Sequence, residues 1–135
     1  MKLSYLDVNI LLRFITNEPP ELAEKCVPLF QKLEDGEIEL VTDYLVIAEV
    51  VWVLESFYHY SASEIAPQIR VLIDAPHLHI DDKDVLREAL SLYELKNVDF
   101  TDAFLVARMQ RKGISEIYSG DNHFDRFSQI TRMEP

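Results

Sequence analysis

Apolar residues fall along this chain in two rhythms, short runs of three or four and longer stretches spaced for a helix. Leu3–Leu6 reads as a first strand that stops abruptly at Asp7. From Val8 the positions Ile10, Leu11, Phe14 and Ile15 recur at helical spacing until Asn17-Glu18-Pro19-Pro20 breaks the pattern. A second helix is expected over Pro20–Leu33, opened by Pro in its first turn and closed by Asp35-Gly36, with Pro28 predicting a kink or an early end. Ile38–Val41 fits a short strand, and Thr42 or Asp43 caps a long helix reaching Phe57. Ser63 is expected to cap the next helix, which runs to Asp74 with Pro67 in its first turns. His77–Ile80 fits a third strand, and Asp81 or Asp82 starts a helix to Leu95. A further helix begins near Asp99–Thr101, runs through Arg111 and ends at Gly113. Glu116–Tyr118 and Gln129–Arg132 supply a fourth and a fifth strand. Strands and helices alternate without repeat or linker. The expected fold class is therefore α/β, a single domain over residues 1–135 with a parallel central sheet of four to five strands flanked by helices.

Composition narrows the function. The 135 residues are 48% apolar, enough for one buried core, and the single cysteine, Cys26, excludes a disulfide framework or a cysteine-based zinc cluster. That usage fits a reducing cytosol, and with Asp7 and Arg13 interrupting the first apolar residues no signal peptide is expected. Charges cut every apolar run well short of a membrane span. The net charge is −11, and residues 1–60 hold 4 bases against 11 acids. A strongly basic face for phosphates is therefore absent from the composition, and a bound divalent cation is the other source of positive potential.

Four acids stand where helices and strands alone would not require them. Asp7 follows the first strand and Asp121 follows the fourth, and in an open parallel sheet ligands sit beyond the carboxyl ends of strands. Helix capping and turn chemistry account for either one equally well. Glu49 is the sole charged residue of Tyr44–Leu54, with Leu45, Ala48, Trp52 and Val53 on adjoining helical faces. A carboxylate so surrounded is either buried, and then paired or metal-bound, or it emerges at a helix edge beside an oligomer seam. Asp102 opens an apolar helix that Asp99 already serves, which leaves one acid in surplus. Should the four converge, their repulsion calls for Mg²⁺ or Mn²⁺, and a metal-activated water would then hydrolyse a phosphodiester.

The same residues resemble a known family. Tyr5-Leu6-Asp7-Val8-Asn9 is similar to the opening strand–Asp-x-Asn signature of PIN-domain ribonucleases, especially the VapC toxins of toxin–antitoxin pairs. Val46–Leu54 around Glu49 resembles their second acidic motif, Asp99-Phe100-Thr101-Asp102-Ala103 the third, and Tyr118–Phe124 the closing Thr-x-Asp-x-Asp-Phe stretch. Ser119 stands where that motif has Thr, and His123 where many members have a second Asp. The resemblance implies a three-layer sandwich and Mg²⁺-dependent endoribonuclease activity with Asp7, Glu49, Asp102 and Asp121 as the catalytic, metal-holding acids. It also implies supporting hydrogen bonds from Asn9, Ser119 and Asp99, homodimerisation, and inhibition by a VapB-like antitoxin. Arg108, Arg111, Lys112 and Arg126 are candidates for positioning phosphate.

Three other readings remain open. A non-catalytic acidic module would use the carboxylates only to dock a basic partner. A phosphotransferase with an aspartyl intermediate at Asp7 wants Asp-x-Asp-x-Thr, whereas Asn9 and Leu11 occupy the later positions. A metal-free ribonuclease would draw on His59, His77, His79 or His123.

Overall fold

The computed structural model describes residues 2–135, which fall into two compact units, the first ending at Lys83 and the second running from Asp84 to Pro135. The first comprises β1 (Leu3–Tyr5), α1 (Val8–Thr16), α2 (Pro20–Glu34), β2 (Glu39–Thr42), α3 (Tyr44–Ser56), α4 (Ala62–Asp74) and β3 (Leu78–Ile80). The second comprises α5 (from Lys83 to Lys96), α6 (Phe100–Lys112), β4 (Glu116–Tyr118), a 3₁₀ turn over Asn122–Arg126, and β5 (Thr131–Met133). The class is α/β with parallel pairing, as the sequence pattern predicts. The strands do not form a single ladder of four or five, however. β1, β2 and β3 make one parallel sheet in that order, and β4 and β5 pair separately, also in parallel.

In the first unit each strand returns through helices to a parallel neighbour, and strand register decides which side chains face the core. Leu40 lies opposite Leu78, and Thr42 opposite Ile80; all four are buried. Glu39 points the other way, where its carboxylate accepts from His77 Nδ1 at 3.2 Å and from His79 Nε2 at 2.9 Å. Leu11 of α1, Ile47, Val50 and Leu54 of α3, and Ile65 and Ile69 of α4 fill the core without solvent exposure. At the carboxyl end of the sheet, the Leu6 amide donates to the Val41 carbonyl at 2.8 Å. The buried Thr42 hydroxyl donates to the Leu6 carbonyl at 3.0 Å. These bonds fix the point where β1 gives way to Asp7.

Three local expectations are corrected. Ser61, not Ser63, caps α4. Its Oγ accepts from the Glu64 amide while Glu64 Oε1 accepts from the Ser61 amide, a reciprocal box that Ser63 would lack because Ala66 stands three residues on. Pro28 does not end α2, which continues to Glu34. Its ring is solvent-facing, so the carbonyl it deprives of a donor meets water, while Ala23, Cys26 and Leu33 hold the opposite face in the core. The last strand lies at Thr131–Met133 rather than Gln129–Arg132. Gly36 does close the α2 segment, at φ +76°, where any side chain would also collide with His77.

In the second unit Leu86, Leu90 and Tyr93 of α5 and Phe100, Ala103 and Val106 of α6 are buried. Tyr93 and Phe100 meet edge to face at 5.8 Å. Gly113 ends α6 at φ +68°, as expected. Phe124 and Phe127 are buried beneath the segment that joins β4 to β5.

The Thr42 hydroxyl joins two strand ends, so its removal has a defined cost. Thr42→Val keeps the shape but leaves the buried Leu6 carbonyl a donor short. The expected loss is about 1–2 kcal/mol of unfolding free energy, read as a lower urea midpoint at unchanged m.

Candidate metal centre

The helical periodicity of α6 sets its first turn. Phe100, Ala103 and Phe104 turn inward to the core, which leaves Asp99, Thr101 and Asp102 at the rim. Asp99 takes the N-cap position with extended backbone (φ −61°, ψ 147°), yet its side chain makes no capping hydrogen bond. Asp102, half-buried, turns one oxygen, Oδ2, into a buried position without a hydrogen-bond partner.

Facing it is the loop after β4. The Ser119 amide donates to the Met133 carbonyl at 3.0 Å, carrying the β4–β5 pairing one residue further. Ser119 Oγ then accepts from the Asp121 amide at 3.0 Å, and Asp121 Oδ1 accepts from the His123 amide at 2.9 Å. Asp121 thereby caps the 3₁₀ turn and brings His123 beside it, with Nδ1 3.4 Å from Asp121 Oδ1. One ligand atom from each of Asp102, Asp121 and His123 lies within 4.8 Å of the others.

The two carboxyls respond in opposite directions. Burial raises the pKa of Asp102 above its ordinary 3.8, and the charges of Asp121 and Asp99 and a hydrogen bond with Asp121 push it the same way. The His123 amide holds Asp121 below its ordinary value. The charge of His123 and the hydrogen bond from Asp102 act in the same sense, partly opposed by burial. Of the two carboxyls, Asp102 is therefore the one whose ionised form its surroundings disfavour. An orphaned buried oxygen, a second carboxylate and an imidazole form a donor set suited to a divalent ion, with oxygen ligands for Mg²⁺ and an imidazole that Mn²⁺ also accepts.

The remaining residues singled out from sequence lie in the first unit. Asp7 is exposed and caps α1, its Oδ1 accepting from the Val8 amide at 2.7 Å, and Asn9 is exposed on the first turn of the same helix. Asp43, at the corresponding end of β2, caps α3 by accepting from the Val46 amide at 3.2 Å. Glu49 is exposed on α3. Its apolar sequence neighbours Leu45 and Trp52, each 65% exposed, share the solvent-facing side, so apolar surroundings in sequence do not amount to burial here.

The basic candidates are tied into the second unit. Arg126 donates to the carbonyls of Lys96 and Asn97, Arg111 lies 3.7 Å from Asp84, and Arg108 stands over the Phe104 ring at 5.1 Å. Of the histidines, His77 and His79 share the Glu39 carboxylate. His123 is the residue the sequence reading left out of the site. Its signal was its place two residues after Asp121, within reach once the Asp121 carboxylate accepts the His123 amide.

Comparison with known proteins places this geometry in context. Residues 4–130 match the PIN domain family. The chain is also 28% identical over 121 residues to a VapC ribonuclease of Aquifex aeolicus (strain VF5), covering 90% of this chain and 89% of that protein. With a family match that leaves out only a few residues at each end, an α/β fold and an acidic group at the start of α6, the chain belongs to the PIN domain family.

Proposed function

We propose that this protein is a Mg²⁺-dependent endoribonuclease, with Mn²⁺ as a substitute ion, and the toxin of a VapBC-type toxin–antitoxin pair. The observation that carries the reading is the grouping of Asp102, Asp121 and His123, with one Asp102 oxygen, Oδ2, buried and without a hydrogen-bond partner among the described residues. Likeness to a VapC ribonuclease over nine-tenths of the chain supports the choice of RNA as substrate. The family match across both units supports their acting as a single PIN-like domain.

In this reading Asp102 and Asp121 hold the cation, with Asp7 and Glu49 completing the catalytic acids. A divalent cation there supplies an acidified water and offsets the charge that builds on the phosphate in the transition state. A cation there would favour the ionised form of Asp102, because it would neutralise two adjacent carboxyls. Ser119 steadies Asp121 through the backbone, and Asp99 adds negative potential beside Asp102. Asn9 is assigned a supporting hydrogen bond near Asp7. A VapB-like antitoxin would silence the site by placing an arginine among the carboxylates. Homodimerisation and a cytoplasmic location complete the proposal; no helix among the described residues is long and apolar enough to cross a membrane.

Cleavage of total RNA by the purified protein tests this directly. Activity is expected with Mg²⁺, to vanish in EDTA, and to leave 5′-phosphate and 3′-hydroxyl ends. Asp7→Asn and Asp102→Asn should each lower the rate by about 100-fold or more, the scale on which losing a transition-state charge partner is felt. Intact cleavage in both variants would show that these acids do not carry the reaction and leave them the docking role, and cyclic phosphate ends would remove the hydrolytic water.

The Asp102 shift makes a second, thermodynamic test. Because its pKa is raised by folding, the ionised group opposes folding in full above the folded pKa, and the penalty disappears as pH falls below the unfolded value of 3.8. In EDTA at pH 7, Asp102→Asn should therefore melt a few degrees above the wild type, with the gain shrinking toward pH 4. Mg²⁺ should raise the melting temperature of the wild type alone.

A further inference from the structure

The loop that carries Asp121 and His123 is held from within by the hydrogen bonds of Ser119, Asp121 and His123, and across its two ends by one side chain. Gly120 sits in open space, with nothing within 4 Å of where a Cβ would be. Phe124, buried at 3% exposure, anchors the loop toward its far end. Between these, the side chain of Arg132 on β5 reaches back across the whole segment. Its Nε and one terminal nitrogen donate to both oxygens of Asp125, at 3.0 and 3.2 Å. The other terminal nitrogen donates to the Ser119 carbonyl at 3.1 Å and to Glu134 at 2.6 Å. The Arg132 side chain is only 18% exposed, while Asp125 and Glu134 are 55% and 62% exposed, so the number and geometry of these charge-assisted bonds hold it in place. A single guanidinium thus ties together residue 119, where the loop leaves β4, and residue 125, beyond the two ligand-bearing positions.

We propose that Arg132 is a positioning residue: by clamping Asp125 and the Ser119 carbonyl it sets the loop that presents Asp121 and His123 to Asp102, and so sets the affinity of that group for a divalent cation. The inference rests on the reading of this group as a cation site. Only a planar fork serves the role. A lysine keeps the charge but cannot span both Asp125 oxygens and the Ser119 carbonyl at once. Outer residues that orient ligands typically contribute a factor of about 10–100 to metal affinity.

A matched pair of variants separates positioning from charge. Asp125 and Glu134 each pair with Arg132, so Asp125→Asn and Glu134→Gln remove the same charge from the same guanidinium. Of the two, Asp125 belongs to the loop. Mn²⁺ binding is measured by the paramagnetic resonance signal of the free ion, alongside melting in EDTA. Arg132→Lys and Asp125→Asn should each weaken Mn²⁺ binding about 10-fold or more, while Glu134→Gln stays within about twofold of the wild type. Should Arg132→Lys fail to fold, the Asp125 and Glu134 pair decides. Wild-type affinity in Arg132→Lys, or equal losses in the pair, would overturn the clamp while leaving the cation site standing. A wild type that binds no Mn²⁺, or an Asp121→Asn variant that binds it equally well, would remove the cation site and the clamp with it.

Discussion

Two carboxyl groups brought together at the start of a helix repel one another, and the charges of His123 and Arg126 answer that repulsion only in part, leaving the Asp102 pKa raised. The N-terminus of α6 favours negative charge, but a single acid would satisfy it, and Asp99 already occupies the cap. Adding Asp102 in the first turn and Asp121 from the facing loop pushes the Asp102 pKa upward and leaves one of its oxygens buried without a partner. A chain selected for stability alone would place an arginine or an asparagine here. The basic groups nearby are committed elsewhere, Arg126 to backbone carbonyls and Arg132 to Asp125 and Glu134. The imbalance is local, and it is the kind that a divalent cation removes.

The first unit shows how strand ends make places for acids without strain. Parallel neighbours bring the carboxyl ends of β1 and β2 level, and the Thr42 hydroxyl bonds the Leu6 carbonyl where both chains turn into helices. Asp7 and Asp43 then fall at equivalent points, each capping the helix that follows through its own carboxylate. Capping and chemistry are compatible for such a residue. A carboxylate that accepts one backbone N–H at a helix start still has lone pairs directed outward. The capping bond at Asp7 is therefore no argument against a further role.

What could be read from the sequence follows the range of the interaction responsible. Helix ends set by one or two residues were legible: Asp7 before α1, Thr42 or Asp43 before α3, where Asp43 is the cap, and Gly113 after α6. So was the surplus of acids at α6, because counting the charges a helix start can use needs no tertiary information. Ser61 was misread for Ser63 because the reciprocal bond to Glu64, three residues on, decides between two adjacent serines. The division into two ladders was not legible, since strands of three residues carry too little pattern to specify their neighbours. Glu49 showed the limit of composition. Its apolar company in sequence pointed to burial, while Leu45 and Trp52 are themselves exposed. His123 was visible as a departure from the family's motif, but its nearness to Asp121 depends on a turn in which the Asp121 carboxylate accepts the His123 amide.

The charge distribution bears on how such a protein would handle RNA. A net charge of −11 repels a phosphate backbone at long range, and many-point neutralisation by lysine and arginine is the usual remedy. Here Arg111 approaches Asp84, and Arg126 and Arg132 are spent on the framework around the acidic group. In the proposed reaction, attraction to the scissile phosphate would come chiefly from the cation itself. The acidic cluster that repels RNA when empty would then draw it once loaded. Substrate binding and catalytic competence would depend on the same ion, and a cation-free molecule would have little hold on its substrate.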